Sequence, residues 1–313
     1  PAKPRAARAA SAPPACAEAM PLREDISFRS HYFDDPAAWR ALARLLEEVF
    51  GIDVTLLDRL GGPDPTSVPF GWFDAAGACI ANVTAFSLPL VVEGTEVRAA
   101  GLQSGAVRPD HRGQGLYRDV MKAALDYCDA EGFAAVALLT DTPGLYRRHG
   151  FEALAQHRFS GTAPSGGTAR PTRRLDIAQE ADIALLRRLL EGRRPVSDRF
   201  APRRQMEMFF FNTCLMPDLR LDLMDEDTVI AWQPGEDGRF ELLDIVGASI
   251  PDLADILASL RIAPSRVLVH FAPDRLSWEG EALPDVEDLV LMLRTKSTSR
   301  PARPFALPPM SAF

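Results

Sequence analysis

Residues 107–117 read VRPDHRGQGLY, and this stretch decides the fold of the first half of the chain. Its pattern is typical of a strand end, a tight glycine-rich turn and the first turn of a helix. The N–H groups of a first helical turn have no acceptor within the helix, and the helix dipole adds partial positive charge there. Gly113 and Gly115 have no Cβ, so an anion can approach the backbone closely. The turn is therefore a candidate pyrophosphate cradle, although many such turns carry glycine for packing alone.

A regular helix and a second motif follow this turn. Leu116, Val120, Ala124 and Cys128 recur every four residues, which predicts one buried stripe on a helix. An apolar strand is predicted at 134–140, and residues 142–152 then read TPGLYRRHGFE. Two motifs in this order are far more specific than a glycine-rich turn alone.

Together, the two segments resemble the acetyl-CoA-binding core of the GNAT superfamily of N-acetyltransferases over residues 23–160. The first segment matches the family pattern V-x-P-x-x-R-G-x-G, and the second matches L-Y-x-x-x-G-F. The resemblance implies an α/β fold with a mixed sheet, as in acyl-CoA N-acyltransferases. It also implies acetyl-CoA as the co-substrate and no metal.

The resemblance assigns roles to the residues around the turn. The backbone of Gly105, Ala106 and Val107 would pair with the pantetheine arm, and its N–H groups would polarise the thioester carbonyl. Gly105 also indicates a β-bulge, which would spread the sheet and is compatible with binding. The pyrophosphate would be held by backbone N–H groups of the turn, namely those of Arg112, Gly113, Gln114, Gly115, Leu116 and Tyr117.

Two tyrosines bear on catalysis in this interpretation. Tyr146 matches the family tyrosine that protonates the departing CoA thiolate, and a phenol keeps its proton at neutral pH. The alternative for Tyr146 is a packing role on a short helix. Tyr117 departs from the family pattern, since many members have Gly or Ala there. An outward side chain would be tolerated, whereas an inward one would put CoA binding in doubt.

The first half of the chain predicts one mixed sheet. A strand is expected at 26–33, followed by a helix at 36–50 with Asp35 as its cap. Antiparallel strands are expected at 69–73, 79–91 and 97–107, with Glu93-Gly94 as a hairpin turn. The strands on either side of the glycine-turn helix should be the parallel pair, and a strand at 151–160 should close the unit.

The same order of elements is predicted to restart in the second half of the chain. Strands are expected at 175–177, 219–224, 228–233, 240–246, 266–271 and 288–293, with helices at 180–190 and 253–260. Gly247–Asp252 replaces the glycine-rich turn and lacks its paired glycines, so this half is interpreted as a degenerate GNAT-like domain. The arrangement resembles enhanced-intracellular-survival-type acetyltransferases without their third domain. The predicted boundaries are a disordered tail at 1–22, a catalytic domain at 23–160, a linker at 161–172, an accessory domain at 173–299 and a C-terminal tail at 300–313.

The C-terminal tail carries Phe305, Leu307, Met310 and Phe313, so we expect it to pack in a surface groove.

Length and composition limit the class of protein to which the chain can belong. A length of 313 residues suggests about two domains, and the net charge of −8 with no basic cluster argues against nucleic acid. Membrane-length apolar runs are absent, and the four cysteines are scattered, with no disulfide or zinc pattern. The cytoplasm is the expected location.

The base that deprotonates the amine is not identified by the sequence. Some family members place a glutamate on the strand before the glycine turn, where this chain has Gln103 and Ser104, with Glu96 at the far end. Asp141 is a candidate whose equal alternative is to cap the next helix. The terminal carboxylate of Phe313 is another, because enhanced-intracellular-survival-type enzymes are thought to use their C-terminus this way. A chain of water molecules is the remaining alternative.

These observations predict an acetyl-CoA-dependent N-acetyltransferase acting on a primary amine in a ternary complex, without a covalent intermediate. A non-catalytic acyl-CoA-binding or regulatory module is the alternative, and a nucleotide-dependent dehydrogenase is more remote. The acceptor amine, a small molecule or a peptide, is not identified, no membrane partner is expected, and a homo-oligomer is left open. Trp72, Phe73, Phe86 and the aromatic run 208–211 are candidates for substrate recognition, although core packing explains them better.

Overall fold

The computed structural model describes residues 25–286, 289–295 and 300–313. The predicted disordered tail at 1–22 lies outside these residues. Two seven-stranded mixed sheets and one three-stranded sheet form the framework. The strands are β1 Ile26–Ser30, β2 Val68–Asp74, β3 Cys79–Ser87, β4 Leu90–Val92, β5 Thr95–Val97, β6 Ala99–Val107, β7 Ala135–Thr140, β8 Glu152–Ala153, β9 His157–Thr162, β10 Thr172–Arg174, β11 Phe200–Pro202, β12 Arg220–Met224, β13 Thr228–Pro234, β14 Phe240–Gly247, β15 Arg266–Val269, β16 Glu281–Pro284 and β17 Val290–Thr295.

Six α-helices pack on these sheets. They are α1 Pro36–Phe50, α2 Leu116–Ala130, α3 Gly144–Arg147, α4 Glu180–Glu191, α5 Met206–Leu215 and α6 Leu253–Leu260. The start of α1 is as predicted, because Asp35 Oδ1 accepts hydrogen bonds from the backbone N–H groups of Ala37 and Ala38. Within the described ranges, no helix has the length and apolar character needed to cross a bilayer.

The first sheet has the order β1-β2-β3-β6-β7-β17-β8. Its parallel pair is β6 and β7, on either side of α2, as predicted. The buried stripe of α2 is also confirmed, since Leu116, Val120, Ala124 and Cys128 are all buried in the core beneath this sheet. The sheet and helix therefore hold the glycine-rich turn on a packed base.

The hairpin predicted at Glu93-Gly94 forms, but it belongs to a separate sheet. Glu93 and Gly94 have φ of 46° and 76°, and they join β4 to β5. β4 also pairs with β11 from the second half of the chain. The two long strands predicted at 79–91 and 97–107 are thus each interrupted, so that the hairpin leaves the first sheet.

The two halves of the chain exchange strands, which corrects two expectations. The strand expected at 151–160 to close the first unit is divided: β8 stays in the first sheet, and β9 pairs with β15 and β16 in the second. The last strand, expected at 288–293 in the second unit, is β17, which lies between β7 and β8 in the first sheet. Asp288 lies outside the described residues. Leu291, Met292 and Leu293 of β17 are buried there, so the exchange supplies apolar surface that the first sheet needs.

The second sheet has the order β10-β12-β13-β14-β15-β9-β16, with β14 and β15 as its parallel pair. The strand expected at 175–177 lies at β10 instead, three residues earlier. Residues 206–215 form α5, a helix that was not predicted. The aromatic run at 208–211 lies within it. The predicted linker at 161–172 lies against α6, where the backbone N–H groups of Thr168 and Arg170 donate to Asp255 Oδ1 and Ser259 Oγ.

The C-terminal segment packs into the protein, as its apolar residues predicted. Phe305 and Leu307 are buried, and the Phe305 ring lies 4.8 Å from that of Phe200. Met310 is fully buried among α4, α5 and the second sheet. This segment therefore ties both sheets together.

We expect Met310→Ala to lower the free energy of unfolding by about 2–5 kcal/mol, because a fully buried side chain is removed and leaves a cavity. Urea denaturation followed by fluorescence measures the change. Val286→Ala is the control, since Val286 is 81% exposed and its truncation should cost less than about 0.5 kcal/mol. Equal small losses for both variants would contradict the packing of this segment.

Candidate active site

One cavity of about 1110 Å³ brings together the residues singled out from the sequence. Its lining comes from the ends of β6 and β7, the start of α2, α3, α1, α5 and the last residues of the chain. The predicted residues in the lining are Gly105, Ala106, Val107, Arg112, Gly113, Gly115, Leu116, Tyr117 and Tyr146, whereas Gln114 is not part of it.

The glycine-rich turn has the geometry of an anion cradle. Gly113 and Gly115 have φ of 78° and 80°, a conformation that L side chains rarely adopt. Gly115 is the residue before α2 and no side chain caps this helix, so its first N–H groups are left for a ligand. A Cβ added at Gly113 would meet no atom within 4 Å, which shows that the turn is open on that side. Arg112 is exposed beside it and adds positive charge.

The strand end before the turn is bulged, as Gly105 predicted. Asn82 pairs with Ala106 and Thr84 with Gln103, so two residues of β6, Ser104 and Gly105, face one of β3. Ser104 has a φ of 56°. β6 and β7 pair only as far as Leu102 and Leu138, so the two strands separate at the bulge.

The bulge is fixed by a buried amide. Asn82 is fully buried, and its Nδ2 donates to the Ser104 carbonyl at 2.9 Å. Its Oδ1 accepts from the Tyr32 hydroxyl at 2.5 Å. Because a buried amide must satisfy both ends, these bonds hold the strand in its bulged form.

Tyr117 points inward and meets Tyr146. The two hydroxyl oxygens lie 2.6 Å apart, and a Cβ at Gly105 would come within 2.7 Å of the Tyr117 hydroxyl. The Tyr117 ring therefore spans the gap from α2 to the bulged strand. Burial and the neighbouring Tyr146 raise the pKa of Tyr117, so Tyr117 is a neutral phenol at any physiological pH. Tyr146 is also held by an edge-to-face contact with Phe151.

The candidates for the base that deprotonates the amine lie in different parts of the structure. Asp141 and Phe313 line the cavity. Glu96 lies on the exposed β5 and pairs with Arg203, so it is not part of the site. The capping role considered for Asp141 is wrong, because no side chain caps α3. Asp141 Oδ1 instead accepts a hydrogen bond from the Thr142 hydroxyl at 2.7 Å.

Comparison with known proteins agrees with this geometry. Residues 35–154 match the family model described as an acetyltransferase (GNAT) domain. These residues are therefore similar to a GNAT acetyltransferase domain. The uncharacterized N-acetyltransferase YhbS of Escherichia coli strain K12 is 42% identical over 93 residues, which are 28% of this chain and 54% of that protein. The chain thus spans about half the length of the curated relatives it matches.

Solved structures resemble the chain beyond residues 35–154. Eis1 from Mycobacterium abscessus is 16% identical and covers 87% of this chain and 73% of its own, with a TM-score of 0.56. A probable N-acyltransferase from Enterococcus faecalis V583 is 14% identical over 86% of this chain and 72% of its own, with a TM-score of 0.58. At these identities the likeness shows the fold, which is a tandem of two GNAT-like units, as predicted.

In the second unit, an arginine side chain engages the strand that corresponds to the bulged strand of the first unit. Strand β14 of the second unit also carries a bulge, at Leu243, beside its parallel neighbour β15. Arg193 lies there, with its side chain 2% exposed, and donates to Asp244 Oδ2 and to the Ile245 carbonyl, each at 3.0 Å. The bulged strand is thus engaged by the protein itself. That this unit is degenerate stays a prediction.

Two polar residues of the cavity, Gln205 and Glu207, were not predicted from the sequence. Glu207 is in the first turn of α5 and Gln205 directly precedes this helix, and both line the cavity. Burial, followed by the nearby charge of Asp64, raises the pKa of Glu207. No local motif marks these residues, since their place depends on how α5 packs across the first unit. Of the aromatic candidates, Phe86 and Phe211 line the cavity, whereas Trp72, Phe73, Phe209 and Phe210 are core.

Proposed function

We propose that the protein is an acetyl-CoA-dependent N-acetyltransferase that transfers acetyl directly to a primary amine in a ternary complex. The observation that carries this proposal is the single cavity joining the glycine cradle, the bulged strand end and Tyr146 to a chamber beneath α1 and α5. A co-substrate and an acceptor can meet only where such a cavity is continuous.

The residues of the cradle and strand fit CoA. The turn offers N–H groups to a pyrophosphate, and the separation of β6 from β7 leaves backbone groups of β6 for the pantetheine amides. When bound, acetyl-CoA supplies an activated acetyl group as a thioester. The N–H groups near Ala106 would stabilise negative charge on its carbonyl oxygen, and Tyr146 would give its proton to the departing sulfur.

Direct transfer is supported by the state of the cysteines in the first unit. Burial raises the pKa of the Cys79 thiol to about 12, so it carries its proton at neutral pH and is a poor nucleophile. Cys128 is fully buried in the core. Among the described residues, no group of three or more His, Cys, Asp or Glu is arranged to hold a metal.

Thermal unfolding with acetyl-CoA tests the proposal, with NADH as the control. At about 100 times Kd, binding adds about 2.7 kcal/mol of stability, which raises the unfolding temperature by several degrees. Release of CoA on addition of amines then tests transfer. A rise with NADH but not with acetyl-CoA would contradict the proposal.

The inward ring of Tyr117 favours one rival, a non-catalytic acyl-CoA-binding or regulatory module. Its hydroxyl lies where the bulged strand faces Tyr146, so bound CoA must share or displace this ring. The two functions separate in one assay: a module would show the thermal shift but no CoA release with any amine. If the ring closes the site, a shift absent from the native protein would appear in Tyr117→Ala.

A further inference from the structure

The acceptor end of the cavity is a predominantly apolar chamber. One face of α5 lines it with Met208, Phe211 and Leu215, and its other side chains, such as Phe209 and Phe210, enter the core. The facing walls come from α1 and from a 3-10 helix at Val54–Leu60. These walls contribute Trp39, Leu42, Leu46, Val49, Phe50, Val54 and Leu57.

Exposed apolar side chains are concentrated at this cavity. In the described ranges, the large hydrophobic residues with substantial exposure are Phe50, Leu145, Leu215, Leu283, Val286 and Leu289. Of these, Phe50, Leu145, Leu215 and Leu289 line the cavity and are 46–50% exposed. Apolar surface collected at one opening marks a site for an apolar ligand, since scattered exposure would not coincide with a cavity.

Two polar groups in this apolar chamber lack partners. The Nε2 of Gln205 and the Oε2 of Glu207 are buried, and neither has a hydrogen-bond partner among the described residues. Gln205 as a whole is only 2% exposed, so the unpaired amide is costly unless a ligand satisfies it. Asp64 also lines the chamber and adds a second negative charge near Glu207.

The cations near Glu207 do not neutralise it. A hydrogen bond from its own backbone N–H, then Arg204 and Arg187, lower the pKa of Glu207, but burial and Asp64 outweigh them. Arg187 is itself engaged, because its Nη2 donates to the Leu60 carbonyl at 2.5 Å. The chamber therefore combines apolar walls with an uncompensated carboxylate, which is complementary to an alkylammonium group.

We propose that the acceptor is a primary amine with a large apolar body, and that Glu207 binds its ammonium and takes its proton before acetyl transfer. This inference rests on the proposed function and assigns the acceptor class and the base of the same site. The apolar body of the amine lies against α1 and α5. Gln205 offers its amide to the acceptor beside the ammonium.

The proton balance of the step is complete. The Glu207 carboxylate accepts one proton from R–NH₃⁺ and later releases it to solvent. The free amine attacks the thioester carbonyl, so that a C–N bond forms and the C–S bond breaks. Sulfur takes the phenolic proton of Tyr146, and the second proton of the nitrogen returns to that phenolate. The products are the N-acetylated amine, CoA and one released proton.

A series of linear amines from propylamine to hexylamine, with glucosamine as the polar comparison, tests the acceptor class. Because burying a methylene contributes about 0.8 kcal/mol, kcat/KM should rise about fourfold per methylene. Phe211→Ala removes an aromatic ring from the apolar wall, so kcat/KM should increase less with each added methylene. A higher kcat/KM for glucosamine than for hexylamine would overturn the inference.

Glu207→Gln tests the base. We expect kcat/KM with hexylamine to fall about 10²- to 10⁴-fold, as for loss of a general base, and the acidic limb of its pH profile to disappear. Glu191→Gln is the matched control, because Glu191 is exposed at the end of α4. Activity of Glu207→Gln within twofold of the native protein would overturn the assignment.

Two further readouts separate this inference from the proposed function. Glu207→Gln should keep the thermal shift with acetyl-CoA, whereas failure of the proposed function would remove from the native protein either that shift or the release of CoA with every amine. The raised pKa means that the folded state holds this proton more tightly than the unfolded chain, so the native protein loses stability as pH rises above the ordinary value of 4.5. Glu207→Gln should therefore unfold at a higher temperature than the native protein at pH 8, and at the same temperature at pH 4. Equal temperatures at both pH values would contradict a desolvated carboxylate.

Discussion

Replacement of Tyr146 by phenylalanine is expected to lower kcat about 10²- to 10⁴-fold while leaving the affinity for acetyl-CoA unchanged. In the proposed mechanism the Tyr146 phenol gives its proton to the departing thiolate, and without this phenol the thiolate leaves unprotonated. The Phe ring keeps the packing against Phe151, so the fold is preserved. Steady-state CoA release gives kcat, and calorimetry gives the affinity.

Tyr117→Phe is the matched control for this experiment. It removes the 2.6 Å hydrogen bond to Tyr146 but leaves the proposed acid in place, so the loss of kcat should be smaller. If Tyr146→Phe weakened acetyl-CoA binding as much as turnover, Tyr146 would be a binding residue and the acid role would be wrong.

Asp244→Ala should destabilise the second unit by about 3–5 kcal/mol. Asp244 and Arg193 are both nearly inaccessible to water, and removal of the carboxylate leaves a buried guanidinium without a counter-charge. Urea denaturation followed by circular dichroism would show a lower midpoint. The loss arises from the buried charge that is left without a partner, and not from the net contribution of the ion pair.

Two variants test this cause. Glu96→Ala breaks the Arg203 pair, whose side chains are more than half exposed, and should cost less than about 1 kcal/mol. The double variant Arg193→Met with Asp244→Leu removes both charges and should recover most of the stability. A double variant as unstable as Asp244→Ala would indicate that packing, and not charge, is the cause.

Local signals allowed much of the first unit to be predicted from the sequence. The cradle and the cap at Asp35 depend on a few neighbouring residues whose conformations are set by glycine, proline and short polar side chains. The bulge at Gly105 was predictable for the same reason. The tandem repeat of elements was visible because helices and strands carry different periodicities.

Features that depend on distant contacts were beyond the sequence. β9 and β17 have the apolar patterns of strands, but such patterns do not specify which sheet a strand joins. The Tyr117–Tyr146 contact depends on a rotamer, and the environment of Glu207 depends on three segments that meet at the cavity. α5 was missed because its run of Met and Phe is apolar on every side and shows no helical period.

The exchange of β9 and β17 has a consequence for how this protein is made. The first sheet gains its sixth strand in spatial order only when residues 290–295 have left the ribosome, so this sheet is completed only after the second half of the chain has been synthesised. Neither half contains every strand of its own sheet, because β9 lies in the second sheet and β17 lies in the first. Cleavage in the segment between the halves, without loss of either, would leave an interlocked pair of chains.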